Sequence, residues 1–153
     1  MNGAPLILIG AGGHARVLLD ALELIGRKVI GLLDANASLA QRDVMGHPVL
    51  GDDDVLRQHA PGSVELVNAI GSVDSMILRK SVYEKLRRTG HVFVSVFHPR
   101  ATLSRHALAA AGVQLMAGAV VQAGARLGED TIVNTGATVD HDCMVGAHVR
   151  IAP

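Results

Sequence analysis

Cysteine, aromatic side chains and charge are all scarce in this chain of 153 residues, and each scarcity excludes something. A single cysteine, Cys143, rules out an intrachain disulfide and a cysteine-built metal cage, and it suits a reducing cytoplasm. With no tryptophan, one tyrosine and two phenylalanines, the core must be made of Val, Ile, Leu and Ala. Fourteen basic residues balance fourteen acidic ones, so there is no basic footprint for nucleic acid. The run Asp52–Asp54 is too short for an acidic tail and reads as a helix start. The opening "MNGAPLILIG" has no basic flank and only a short apolar run, unlike a signal peptide. The stretch from Ala107 to Ala125 carries no charge and is nominally long enough to cross a membrane. It is mostly Ala and Gly, holds Gln114 and Gln122, and has glycines at every sixth position, so a membrane span is not expected.

Glycine, in contrast, is abundant, at 17 residues, and points to many tight turns. They sit in two halves of different pattern. Residues 1–97 alternate strand and helix signals. "PLILIG", "KVIGLLD", "HPVLG", "VELVNAIG" and "HVFVSVF" read as strands. "GHARVLLDALELIG" has helical spacing, with Val17, Leu18, Ala21, Leu22 and Ile25 on one face and Gly26 as its stop. "DDDVLRQHA" and "SVDSMILRKSVYEKLRRTG" read as two further helices. This alternation predicts a small parallel sheet with helices on its faces.

Residues 98–153 follow another rule. Leu103, Ala109, Leu115, Val121, Leu127, Val133, Val139, Val145 and Ile151 recur at every sixth position, and all are aliphatic. The column four further on, from Ala107 to Val149, is small or β-branched, and the column three on, from His106 to His148, is largely turn formers. A period of six suits neither a helix nor an ordinary strand. It suits short straight segments joined by corners, three such hexads closing one coil, and so predicts a β-helix prism.

Two local patterns carry chemistry. "LIGAGGHA" places Gly10, Gly12 and Ala15 in a G-x-G-x-x-A arrangement between a strand and a helix, and Asp34 follows at the end of the next strand. Backbone N–H groups of such a turn can cradle a phosphate, and the acid can accept a ribose hydroxyl. The same turn could also be a tight βα connection that holds nothing. His14 could reach a sugar or a phosphate oxygen, or cap the helix into solvent. The second pattern, "TVDHDCMVG", sets Asp140, His141 and Asp142 side by side in a stretch otherwise free of charge from Thr131 to Ala147. A histidine with a carboxylate on its far ring nitrogen is a general base. A solvated polar corner is the plainer alternative. Cys143 falls in the small corner column and is expected to pack there; His148, in the turn column, has no assigned task.

The six-residue repeat resembles the left-handed β-helix acyltransferases. The whole chain, with "GAGGHA" first and "NTGATVDHDC" later, is similar to the NeuD/PglD-type subfamily of sugar O-/N-acyltransferases. The resemblance implies a Rossmann-like α/β half-domain over residues 1–97 and a left-handed parallel β-helix over 98–153. It implies acetyl transfer from acetyl-CoA to an amine of a nucleotide-linked 4-amino sugar, or to a hydroxyl of sialic acid. No metal is required, no nucleic acid or membrane is a partner, and a homotrimer with sites between subunits is expected. His141 becomes the general base and Asp142 its partner, while Asp140 stays ambiguous. Gly10, Gly12, Gly13, His14 and Asp34 come to lie near the nucleotide part of the substrate, with Asn134 contacting substrate or thioester. Relatives often carry a second histidine nine positions after the base; Arg150 stands there, and it could bind the CoA side as a cation.

The chain stops at "VRIAP", short of three full coils counted from Leu103 and with no cap. A truncated product lacking part of the CoA groove is the expectation. Two rivals remain: a nicotinamide-dependent oxidoreductase using the glycine-rich turn, and a non-catalytic trimeric scaffold that binds a nucleotide-sugar.

Overall fold

The computed structural model describes residues 3–71 and 76–153. The start of the last expected helix, Ser72 to Ser75, lies outside the described residues. The chain divides into two compact units, one ending at Phe93 and the other beginning at Val94.

The first unit is built from β1 (Leu6–Ile9), α1 (Gly13–Leu24), β2 (Val29–Leu33), β3 (Asp43–Val44), β4 (His47–Gly51), β5 (Glu65–Asn68) and α2 (Ile77–Arg88). Its sheet runs β3-β4-β2-β1-β5. β4, β2, β1 and β5 are parallel, and β3 adds an antiparallel edge. β1 is buried on both faces, which explains its unbroken run of Leu and Ile. On one face Ile7 and Ile9 pack with Tyr83, Leu86 and Phe93, and the Tyr83 and Phe93 rings lie 4.5 Å apart. Gly26 ends α1 with φ +67°, its N–H donating to the Glu23 carbonyl.

Several expectations need correction. Val17 and Ile25 are exposed; the buried stripe of α1 is Ala15, Leu18, Leu19, Ala21 and Leu22. Periodicity alone set that stripe about one position off. "DDDVLRQHA" forms a six-residue 3₁₀ helix, Asp53–Gln58, capped by the Asp52 carboxylate accepting from the Asp54 N–H. The edge strand β3 has no apolar alternation and gave no signal. "HVFVSVF" is not one strand: Phe93 bridges to Leu66 of the first unit, while Val96–Phe97 pairs with Gln114–Leu115 of the second.

The second unit is a stack of two-residue strands. Val120 pairs with Thr102 below and Thr138 above, Arg126 with Leu108 and Met144, and Ile132 with Gln114 and Arg150. Every partner is parallel and lies three hexads away in the sequence, so the strands form three sheets and the chain a three-sided parallel β-helix. Five members of the aliphatic column lie in one buried core cluster, and the other four pack against it. Leu115 and Val133 are fully buried, whereas Val145 and Ile151 of the final coil are only partly covered. Cys143 also lies in that coil and is exposed, contrary to the packed position expected for it.

The corners explain the turn column. Gly112, Gly118, Gly124 and Gly136 adopt φ between +71° and +77°. Glycine reaches this left-handed region without strain. Asp130, Asp142 and His148 occupy the same column at φ +56° to +60°, and Asp is among the few other residue types that tolerate it. The uncharged stretch from Ala107 to Ala125 is spent on these strands and corners. Among the described residues, no helix is long and apolar enough to cross a membrane.

If one inward aliphatic per segment holds the prism, Leu115→Ala should cost about 2–4 kcal/mol in urea-induced unfolding. Thr138→Ala, on the exposed outer face, should change stability by less than about 0.5 kcal/mol. Equal effects at both positions would contradict this packing.

Candidate active site

The two chemical patterns sit in different units, and each is built by local backbone demands. In the first unit, Gly10 follows β1 with φ +105°. A Cβ there would lie 3.0 Å from the Ala69 carbonyl carbon and the Ile70 nitrogen, so the turn needs glycine for its own close packing. Gly12 and Gly13 differ: a Cβ on either would meet nothing within 4 Å. Their small size leaves space open beside the N-terminus of α1, where no acidic residue fills the first turn.

Asp34 closes the turn from the other side. Its Oδ2 accepts from the Ala11 N–H at 2.9 Å and its Oδ1 from the Asn36 N–H at 2.8 Å. The carboxylate is thereby fixed, and each oxygen keeps a lone pair for a hydroxyl donor. A cavity of about 270 Å³ opens here, lined by Gly10, Ala11, Gly12, Asp34, Ile70 and Leu78 among others. Gly13 and His14 are not among its walls. His14 is half-buried in the first turn of α1, its Cβ facing Gly71.

Arg79, missed in the sequence, supports this cavity. It is fully buried in α2, and its Nη1 donates to the carbonyls of Asn68 at 2.9 Å and Ile70 at 2.8 Å. Asn68 returns a bond from its Nδ2 to the Arg79 carbonyl at 3.3 Å. A buried guanidinium held by backbone oxygens fixes the end of β5 and the loop beside the glycine turn. A charged residue in a basic helix gave no hint of burial.

In the second unit, the acid-histidine-acid run forms a corner of the last coil. Asp142 takes the left-handed conformation, and that bend brings two successive side chains together, which an extended strand would send to opposite faces. His141 Nδ1 lies 2.9 Å from Asp142 Oδ2. Asp140 Oδ1 accepts from the His141 backbone N–H at 2.8 Å. When the imidazole is neutral and Nδ1 carries the proton toward Asp142, Nε2 presents a lone pair outward. The hydrogen bond to Asp142 raises the His141 pKa above its ordinary 6.5, the charges of Asp140 and Asp142 add to this, and desolvation opposes them. Both side chains of the pair are largely exposed, at 74% and 80%. Their value is therefore orientation and proton affinity, not fold stability.

Asn134 is half-buried at another corner, its backbone N–H donating to Ile151 and its carbonyl accepting from Ala137. Arg150 is exposed on the outer face, in register with Ile132. His148 pairs with Asp130: Nδ1 to Oδ2 is 3.0 Å, with the Asp130 side chain wholly buried. The two residues are one coil apart in the turn column, so stacking the sequence at that interval would have revealed the pair. Among the described residues, no group of three or more His, Cys, Asp or Glu side chains is gathered to hold a metal.

Comparison with known proteins agrees with both units. Residues 5–86 match the family model of the PglD N-terminal domain. A solved perosamine N-acetyltransferase from Caulobacter crescentus, in complex with CoA and GDP-perosamine, is 37% identical with a TM-score of 0.86, over 96% of this chain and 68% of its own. The acetyltransferase domain of PglB from Neisseria gonorrhoeae, in complex with acetyl coenzyme A, is 35% identical with a TM-score of 0.88, over 97% of this chain and 70% of its own. Two of the Caulobacter structures are of variants in which one histidine is replaced by asparagine or alanine. No curated protein sequence matches the chain. The chain belongs to the NeuD/PglD-type family of sugar acyltransferases.

The corner geometry sets a direct expectation. Titration of the His141 ring by NMR should give a midpoint above about 6.5, and Asp142→Asn should bring it back toward that value. An unmoved midpoint would mean that the carboxylate does not hold the ring in solution.

Proposed function

We propose that this chain transfers acetyl from acetyl-CoA to the amine of a nucleotide-linked 4-amino sugar, with His141 as general base. The observation that carries the reading is the 2.9 Å contact between His141 Nδ1 and Asp142 on a β-helix corner, in a chain of this acyltransferase family. A protonated amine has no lone pair to attack with, so a base must take a proton before or during attack. In this reading the sugar nitrogen attacks the thioester carbon, His141 Nε2 accepts the amine proton, and Asp142 stabilises the imidazolium formed. Collapse of the tetrahedral intermediate expels the CoA thiolate, which takes the proton back. A backbone N–H would steady the oxyanion.

The remaining roles follow from family likeness and from placement. The first unit is read as a Rossmann-like half-domain that takes the nucleotide part at Gly10, Gly12 and Asp34, with Gly13 and His14 at its edge. The second is read as a left-handed β-helix, with Asn134 toward the substrate and Arg150 toward the CoA side. A cytoplasmic homotrimer is the matching assembly. The acceptor could instead be a hydroxyl of sialic acid. An amine is favoured because the Caulobacter relative is a perosamine N-acetyltransferase.

Thiol release from acetyl-CoA should appear with one member of a panel of UDP- and GDP-linked 4-amino sugars. His141→Ala should lower kcat/KM by roughly 10²–10⁴. Release undiminished in that variant removes His141 from the chemistry. Tight NADH binding without any thiol release would instead favour an oxidoreductase use of the glycine turn.

A further inference from the structure

The exposed His141–Asp142 pair presents a physical problem. Two solvated side chains on a surface corner gain little from each other and sample many rotamers. Orientation of the base therefore needs something beneath the carboxylate, and the coil below supplies it. Gly124 lies one full coil before Asp142 in the same turn column, at φ +77°. A Cβ on Gly124 would meet Asp142 Oδ1 at 2.1 Å and its carboxyl carbon at 3.1 Å. The carboxylate thus occupies the space that any other residue at 124 would fill. With Oδ1 folded down over Gly124, Oδ2 is the oxygen left to face the imidazole.

Two other corner glycines, Gly118 and Gly136, do not share this arrangement. Gly118, at φ +71°, has only Gly136 backbone atoms near its absent Cβ, at 3.8 Å. Gly136, also at φ +71°, has nothing within 4 Å. All three have the same backbone reason to be glycine, but only Gly124 has the carboxylate of the pair above it.

We infer that Gly124 is a positioning residue for the acetyl transfer: its missing side chain is the socket that turns Asp142 toward His141. This rests on the reading of His141 as the base, though the socket itself is a property of the corner. The strain that alanine suffers at positive φ is common to Gly124→Ala and Gly118→Ala. Any difference between the two variants therefore reports the contact with Asp142.

The test compares the two variants in the full chain by NMR titration of the His141 ring, with kcat and KM measured beside it. Gly124→Ala should lower the His141 midpoint toward that of Asp142→Asn, while Gly118→Ala leaves it at the wild-type value. In Gly124→Ala, kcat should fall on the order of tenfold, a fraction of what a general base supplies, with KM little changed. A midpoint unmoved in Gly124→Ala, or moved equally in Gly118→Ala, overturns the inference. A shifted midpoint with unchanged kcat would retain the socket and remove His141 as base, so the two failures are separable. If Gly124→Ala does not fold, the double variant Gly124→Ala/Asp142→Gly, which removes the clashing carboxylate, should fold. Failure of that double variant while Gly118→Ala folds would show that the loss does not come from the Asp142 carboxylate, and would also overturn the inference.

Discussion

The structure of the second unit depends on one constraint: backbone groups of each coil must pair with those of the next coil, three hexads along the chain. Parallel pairing at that fixed interval allows one inward side chain per strand and one sharp corner per hexad. Everything else follows from it. The inward column must be aliphatic, the inner corner column small, and the turn column able to adopt positive φ. The site inherits its geometry from the same source, because His141 and Asp142 converge only where the chain bends through Asp142.

The first unit works by a different economy. A β-strand end, a glycine and a helix start are brought together so tightly that a side chain at Gly10 would crowd the backbone at Ala69 and Ile70. Asp34 then ties the turn to the end of the neighbouring strand, and buried Arg79 ties the loop after β5. Three separate chain segments are held around one cavity by bonds that end on backbone atoms. Backbone partners make the cavity walls depend on few side-chain identities, and leave the open space at Gly12 and Gly13 undisturbed.

Much of this was legible in the sequence, and for physical reasons. The hexad column could be read because the repeat imposes the same demand nine times over. Gly10 and Asp34 could be paired because strand–turn–helix geometry fixes their separation. Less visible were features that depend on the third dimension. The burial of Arg79 depends on the loop carbonyls it packs under, and the Asp130–His148 pair emerges only when the sequence is stacked at the coil interval. The division of "HVFVSVF" between two units depends on which edge each half pairs with, and apolar content does not encode that. The exposure of Cys143 reflects its place in the final coil, not its column. The roles of Asn134 and Arg150 rest on family likeness, since their placement alone does not assign chemistry to them.

Parallel coils stacked at a strand spacing of about 4.8 Å make the prism a ruler. His106 stands two coils below Asp142 in the same column, and so at the same angular position about 10 Å along the axis. Insertion of one whole coil would slide a functional corner along its edge by one graduation and leave its direction unchanged. Insertion of a single hexad would keep every inward aliphatic in phase, yet turn the corner by a third of a revolution. Such a scaffold can therefore change where its chemistry points, or how far along it sits, as two independent settings, with the same core packing in either case.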